Sequence, residues 1–159
     1  MKYAVWLDGV ILKINLTEQL YRIYKGEMVD IPITFDTFKD WREIYSLGKD
    51  VYILSPYDET TTREILGKLG INFPYISNDG KTKPSKVPYE KLVKTTGWDP
   101  LEVITIGSSP LDLLSARFYD SRIKVTCIER FEDCSRYSPY LIAKDFPSLI
   151  QSLKRLRKL

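Results

Sequence analysis

Short apolar runs alternate with amphipathic segments along most of this chain, and this alternation is the feature that most restricts its fold. The runs have the length of buried strands, and the segments between them have helical spacing of apolar residues. The runs lie at residues 2–7, 50–55, 75–77, 102–107 and 122–128. Strands that alternate with helices form a parallel sheet covered by helices on both faces. The sequence therefore predicts an α/β fold, a Rossmann-like three-layer sandwich with a central parallel sheet.

The segments between the runs carry signals of helix ends. The clearest segment lies within 37–48, where Thr37 and Asp40 form a capping box and Gly48 provides a stop. Residues 10–15 are predicted to be a strand or one arm of a hairpin. The apolar face of the 37–48 helix would be formed by Phe38, Trp41, Ile44 and Tyr45. Further predictions are helices at 17–25 (capped by Asn15 or Thr17), 58–70, 86–97, 110–119 and 146–158, and extended or irregular chain at 28–34 around Pro32.

Length and charge favour one ordinary globular domain. The chain has 159 residues, enough to bury a core, and no repeat or linker divides it, so we expect a single domain over residues 1–159. The net charge is +3. Part of the basic excess lies in the tail Lys154 to Leu159, where cations suit a helix C-terminus better than a nucleic-acid or lipid surface. No apolar run reaches the ~20 residues of a membrane span, and Lys2 precedes no cleavage pattern, so we expect a cytoplasmic protein without a membrane or nucleic-acid partner.

Cys127 and Cys134, together with the absence of histidine, limit the chemistry. No second cysteine pair and no histidine could complete a zinc site, so free thiols are the favoured interpretation. A disulfide remains open if the source is a hyperthermophile, which the lack of His and the scarcity of Gln and Asn weakly favour. Without histidine, no Ser-His-Asp triad, Cys-His pair or His-ligated metal can form.

Polar residues follow several of the predicted strands. In parallel α/β sheets, ligands bind beyond the carboxyl ends of the strands. Those positions hold Asp8 and Gly9, then Ser55, then Gly107 with Ser108 and Ser109, and Lys83 lies in a loop before a helix. A hydroxyl, an ammonium group and backbone N–H groups at helix starts suit an anion. The sequence therefore predicts an anion-binding edge formed by Asp8, Gly9, Ser55, Lys83 and Ser108.

Four stretches of the sequence occur in the order and spacing of a known set of motifs. "AVWLDGVIL" is an apolar strand followed by x-x-Asp-Gly, and "VYILSP" is a strand that ends in Ser. "KTKPSKVPYEKLVKTTGWDPLEVITIGSSPLDLLSA" has Lys-Pro before a helix and a later strand that ends in Gly-Ser-Ser, and "LIAKDFPSLIQSL" is a closing strand and helix. Together they resemble the haloacid dehalogenase-like (HAD) superfamily, mostly Mg-dependent phosphatases, nearly end to end. The resemblance implies a HAD-like core.

Two departures from the family pattern fall at residues that carry its chemistry. The resemblance places the nucleophilic Asp of the first motif at Trp6, and an indole can neither attack phosphorus nor bind Mg²⁺. Ser108 stands where the fourth motif has an acid that helps to hold Mg²⁺. Asp112 matches a later acid that usually supports the lysine, and is only a weak metal candidate. Mg²⁺ needs carboxylate ligands, so we expect no cofactor, and Mg²⁺ only if the protein is an active enzyme.

The resemblance leaves the roles of the remaining residues open. Asp8 matches the acid/base position and Lys83 the family lysine, and both would be vestigial. In another register Asp8 would itself be the nucleophile, but Gly9 fits the first register better. Trp6 either fills the space left by substrate and metal or stacks on a ligand. Asp8 could instead cap a turn or pair with Lys83, and Ser55 could bond to the backbone rather than to phosphate.

Residues 10–34 match the place where the family often inserts a cap domain. This flap is too short for a helical cap, so we expect a hairpin or a single small helix and an open site. In the family, an open site goes with macromolecular substrates or with lids from other subunits, so a protein partner or a homo-oligomer is expected beside a phosphate-containing or other anionic ligand. The favoured function is a binding or regulatory module without phosphohydrolase activity. The alternatives are an active Mg-dependent phosphatase with a rearranged site and a structural subunit.

Overall fold

The computed structural model describes residues 1–159 and contains one six-stranded sheet in which every pair of neighbouring strands is parallel. The strand order is β3-β2-β1-β4-β5-β6. β1 lies between β2 and β4, with Val5 opposite both Ile53 and Ile106. The strands are β1 (Lys2–Trp6), β2 (Val51–Leu54), β3 (Tyr75–Ile76), β4 (Val103–Gly107), β5 (Lys124–Ile128) and β6 (Leu141–Ala143). The strand order reverses at β1, so a crevice is expected at its carboxyl end.

Helices connect the strands and confirm the predicted α/β sandwich. They are α1 (Thr17–Tyr24), α2 (Glu59–Leu69), α3 (Val87–Thr96), α4 (Pro110–Tyr119) and α5 (Phe146–Arg155). Three 3₁₀ helices are Trp41–Leu47, Pro100–Glu102 and Ser135–Tyr137. The caps predicted for α1 are wrong, because its N-cap is Leu16 without a side-chain cap bond, although Asn15 accepts from the backbone N–H of Thr17 at 3.1 Å. None of these helices is both long enough and apolar enough to cross a membrane.

β1 is the centre of the hydrophobic core. The core contains 37 buried apolar residues, and every residue of β1 after Lys2 belongs to it. A strand with strands on both sides and helices over both faces has no exposed position, which explains why its sequence is continuously apolar. Leu16 and Leu20 add the start of α1 to the same core. The flap at 10–34 thus contains one small helix that packs on the body of the domain.

The strand predicted at residues 10–15 is wrong. Gly9 has φ +76°, so the chain turns immediately after Asp8, and the N–H of Gly9 donates to the carbonyl of Leu12 at 2.9 Å. Leu12 forms only isolated bridges, with Asp8 and with Thr37. Its apolar neighbours are buried in a turn rather than in a sheet. A short apolar run is compatible with either placement, since burial alone does not specify a strand.

The helix predicted within 37–48 is a 3₁₀ helix, and the predicted capping box is absent. The Asp40 side chain does not cap the helix because it accepts from the Arg130 guanidinium at 2.6 and 3.0 Å and from the backbone N–H of Phe146 at 3.0 Å. These bonds connect the 3₁₀ helix to the start of α5. Gly48, with φ +91°, ends the helix as predicted.

The favoured interpretation of the cysteines as free thiols is also wrong in this structure. Cys127 and Cys134 form a disulfide, with their Cα atoms 6.5 Å apart. Cys127 lies in β5, and the loop after β5 turns back so that Cys134 is buried against it. The two residues are close because of this loop, and no sequence pattern predicts its path.

Candidate functional site

The residues predicted to form the site gather at the carboxyl end of β1, but they are buried. The exposed fractions are 3% for Asp8, 3% for Ser55, 2% for Lys83 and 2% for Ser108, and Asp112 joins them at 1%. The predicted open site is therefore wrong. The turn after Gly9 and the start of α1 pack into the core, so the short flap closes over this edge of the sheet instead of leaving it exposed.

Lys83 is bound between two carboxylates. Its Nζ lies 2.7 Å from Oδ2 of Asp8 and forms a second ion pair and hydrogen bond with Oδ1 of Asp112. The other oxygen of Asp112 accepts from the backbone N–H groups of Ser108 at 2.8 Å and Ser109 at 3.1 Å, at the start of α4. Asp112 therefore joins the lysine to the loop after β4. We call Asp8, Lys83 and Asp112 the acid-lysine triad.

Burial and charge act in opposite directions on the triad. Burial raises the pKa of the Asp8 carboxyl above its usual value, against the lowering effect of Lys83. Burial alone would lower the pKa of Lys83, but the carboxylates of Asp112 and Asp8 outweigh it and raise that pKa. Two carboxylates share one ammonium group, so the fully ionised triad would have a net charge of −1. Lys83 stays protonated, and Asp8 is the acid whose ionisation is disfavoured.

Trp6 makes its polar and cation contacts with other residues of the domain. It is 0% exposed, and its Nε1 donates to the hydroxyl of Tyr89 at 3.1 Å. That hydroxyl is paired with Oγ1 of Thr105 at 2.6 Å. The Lys83 ammonium lies 4.3 Å from the centroid of the indole ring, a cation–π contact. The indole is thus packed between α3, β4 and the triad lysine.

Ser55 has the bonds of a strand-end hydroxyl. Its Oγ accepts from the backbone N–H of Tyr57 at 3.1 Å and pairs with Oγ1 of Thr62 at 2.8 Å. Thr62 in turn donates to the carbonyl of Tyr57 at 3.2 Å. These contacts connect the end of β2 to the first turn of α2, which is the backbone role left open for this residue.

Gly9 and Ser108 are in close contact. A Cβ on Gly9 would lie 2.3 Å from Oγ of Ser108, and Gly9 also has φ +76°, which side chains rarely adopt. Glycine is required here by both the backbone conformation and the neighbouring hydroxyl. The contact leaves no space for a ligand atom between the two residues.

A separate cavity of about 550 Å³ lies beside the triad. One wall comes from α1, with Leu20, Ile23 and Tyr24. A second wall comes from the loop of residues 78–86, which includes Lys81, Thr82 and Lys86. Lys83 lines the inner end. We call it the α1 cavity.

The structure resembles solved hydrolases over nearly its whole length. A hydrolase from Pseudomonas syringae superposes with a TM-score of 0.73 at 13% identity over 98% of each chain. A haloacid dehalogenase-like family hydrolase from Streptococcus pneumoniae has a TM-score of 0.73 at 16% identity, over 96% of this chain and 97% of that one. An L-2-haloacid dehalogenase has a TM-score of 0.73 at 13% identity, over 96% and 99%. The chain has the HAD-like fold. No protein-family model and no curated protein matches the sequence.

The side chains present do not suit the Mg²⁺ ion that many proteins of the HAD-like fold use. Nowhere in the structure do three or more Asp, Glu, His or Cys side chains come together in a way that could hold a metal. The two acids of the triad are held by the Lys83 ammonium, and the positions where the resemblance predicts further acids hold Trp6 and Ser108. Mg²⁺ prefers carboxylate oxygens and gives up water reluctantly. The donor set therefore does not fit the ion.

Two parts of this site were missed by the sequence analysis. Tyr89 accepts from the indole N–H of Trp6 and pairs with Thr105, but the spacing of these two residues in α3 and β4 is that of ordinary core residues. The α1 cavity was also missed, because it lies between a helix and a loop more than 50 residues apart. The cluster of lysines at Lys81, Lys83 and Lys86 was its only signal in the sequence.

Proposed function

We propose that this chain is a HAD-fold protein that has lost phosphohydrolase activity and acts as a binding or regulatory module. The observation that carries the proposal is the place of Trp6. The residue at the nucleophile position is a fully buried indole, hydrogen-bonded to Tyr89 and covered by the Lys83 ammonium.

The covalent mechanism that the resemblance implies uses a carboxylate that can reach phosphorus from an accessible position. The acids of the triad, which share Lys83 with the Trp6 ring, are both nearly inaccessible and paired with that lysine. Burial also raises the pKa of Asp8, which disfavours the ionised form that a nucleophile needs. The site thus lacks both the nucleophile and the surroundings that would replace it.

One feature favours the alternative of an active phosphatase. Oδ1 of Asp8 is buried and has no hydrogen-bond partner, and unsatisfied polar atoms often mark working sites. In that alternative Asp8 would be the nucleophile and Mg²⁺ would be required. Replacing Asp8 therefore distinguishes the two functions.

The test is turnover of an aryl phosphate by the purified protein, with and without Mg²⁺. The matched variants are Asp8→Ala, which removes the only candidate nucleophile, and Trp6→Asp, which restores an acid at the family position. We expect the wild-type rate to equal that of Asp8→Ala, since the buried Asp8 that is paired with Lys83 does not act as a nucleophile. Mg²⁺-dependent turnover that Asp8→Ala abolishes would show instead that the protein is an enzyme. Turnover gained by Trp6→Asp alone would support the loss of activity through this one position.

A further inference from the structure

We propose that the α1 cavity binds a small organic anion, an apolar body that carries one carboxylate, sulfonate or phosphate group. The inference rests on the proposed binding role and gives it a place and a ligand class. It does not depend on the acid-lysine triad as a binding site, because the triad is closed by its own ion pairs.

The apolar body would lie against α1 and the end of α4. Leu20, Ile23 and Ile31 line the cavity with their side chains, and Tyr24 and Phe118 complete this wall. Tyr24 is 57% exposed and Phe118 is 55% exposed, so the two aromatic rings are still largely in water. Covering them with an apolar ligand would remove that surface from water, which is the main favourable contribution in pockets of this kind.

The anionic group would lie at the wall formed by the loop of residues 78–86. Three lysines line the cavity, Lys81, Lys83 and Lys86, and no Asp or Glu does. Lys83 is already compensated by the triad acids, and Lys86 has only an exposed partner, Glu90, at 3.4 Å. Lys81 forms no salt bridge. The lining therefore has positive charge at Lys81 that no acid compensates, beside the apolar residues of α1.

A hydroxyl on the same wall lacks a partner. Oγ1 of Thr82 is buried and forms no hydrogen bond, although the residue lines the cavity. The neighbouring polar side chain of Asn78 is already satisfied, because it donates to the carbonyl of Pro56 and accepts from the N–H of Gly80. A buried hydroxyl without a partner costs free energy that a ligand oxygen would recover. Thr82 is the donor we assign to the anionic group, which its hydroxyl would reach after a rotation of the side chain, since Oγ1 is buried in this structure.

The volume agrees with this ligand class. About 550 Å³ lies within the range of sites that hold drug-sized molecules. A bare phosphate ion would fill a small part of this space and would leave the aromatic wall in water. A neutral hydrocarbon would gain nothing from the exposed Lys81 ammonium and would leave the Thr82 hydroxyl without a partner. An anion with an apolar body satisfies both walls together.

The experiment uses two fluorescent probes with the same arrangement of rings and different charge. Anilinonaphthalene sulfonate carries the anionic group, and phenylnaphthylamine lacks it. Both are titrated against the full chain, and the binding site is located from shifts in the amide NMR spectrum. The variants are Lys81→Gln/Lys86→Gln for the basic wall and Tyr24→Ala for the apolar wall. Lys49→Gln/Lys94→Gln is the control, since it removes the same charge from exposed lysines outside the cavity.

We expect the sulfonate to bind and to shift the amides of residues 78–86. The Lys81→Gln/Lys86→Gln variant should bind it about threefold to tenfold more weakly, the effect of removing two exposed charges. That variant should bind the uncharged probe as well as the wild type does. Tyr24→Ala should weaken the binding of both probes, and the control variant should change neither.

Several results would overturn the proposal. They are the absence of saturable binding, NMR shifts that lie outside residues 78–86 and α1, or an equal loss of both probes in the double lysine variant. Turnover of aryl phosphate is measured on the same samples. A silent protein that binds no probe would remove the α1 cavity proposal and leave the loss of activity standing. An active protein that binds the sulfonate would remove the proposed loss of activity and leave the α1 cavity proposal standing.

Discussion

Replacing Lys83 with Met would leave the carboxylates of Asp8 and Asp112 buried without their shared cation. Met retains most of the apolar stem, so the change removes the charge more than it removes packing. The side chains of the triad are at most 4% exposed, so water cannot replace the ammonium group. Removing one partner of a buried ion pair destabilises proteins by about 3–5 kcal/mol, and two acids lose their partner here. We therefore expect a loss of about 4 kcal/mol and, for a chain of this length, a fall in Tm of about 10 °C.

The assay is urea unfolding followed by circular dichroism, with the midpoint and the slope fitted separately. Lys86→Met is the matched control, because its salt bridge with Glu90 is exposed and should contribute about 0.5 kcal/mol or less. The sharpest comparison adds Asp8→Asn to Lys83→Met. The double variant keeps Asp112 on its two backbone N–H donors and removes the other uncompensated acid. It should be more stable than Lys83→Met alone, by about 2 kcal/mol.

The pH dependence of the stability of Lys83→Met provides a second check. The pKa of Asp8 is raised by burial in the folded state, so its contribution to stability is complete below its unfolded pKa and is lost as pH rises through the folded pKa. Without Lys83 this loss should be larger. The difference in the free energy of unfolding between the wild type and Lys83→Met should therefore shrink as the pH falls from about 7 to about 5. The electrostatic account is refuted if this difference is independent of pH and the double variant is no more stable than the single one.

Three further changes test the packing around the site. Gly9→Ala should destabilise the protein by about 2–4 kcal/mol in urea unfolding, because it adds a clash to an unfavourable φ. Gly26→Ala is the control, since Gly26 has a positive φ but open space around it, and should cost about 1–2 kcal/mol. Tyr89→Phe should cost about 1–2 kcal/mol in the same assay, because it leaves the indole N–H of Trp6 without an acceptor, and equal stability would contradict the hydrogen bond. Reduction of the disulfide should lower stability by about 2 kcal/mol, and mass spectrometry after thiol alkylation should find labelled cysteines only in the reduced sample.

Part of the candidate site could be predicted from the positions of its residues after the strands. Asp8, Ser55 and Ser108 follow separate strands, and they meet because parallel strands end at the same edge of a sheet. The pairing of Asp8 with Lys83 was one of two structural roles left open for that acid, and it is the geometry observed. What these residues do in the cell stays a prediction, since the same positions are compatible with binding and with packing.

The fold follows from the sequence because its signals are local. Continuously apolar runs such as residues 3–7 are typical of strands buried on both faces. The helices between them carry their own start and stop residues, such as Asp58 and Gly70 around α2. Neither signal depends on residues far away in the chain. The parallel sheet and nearly every helix were therefore predictable from short windows.

The tertiary structure alone decided which groups pair and which surfaces close. Trp6 donates to Tyr89 across 83 residues of sequence. The Asp40 side chain accepts from Arg130 across 90 residues instead of capping its own helix. The turn after Gly9 buried a run that resembled a strand. Such contacts depend on the distances between elements after they pack, and no periodicity in the sequence records those distances. The sequence determined where a site could be, and long-range packing determined that its acids and its lysine are bound to one another.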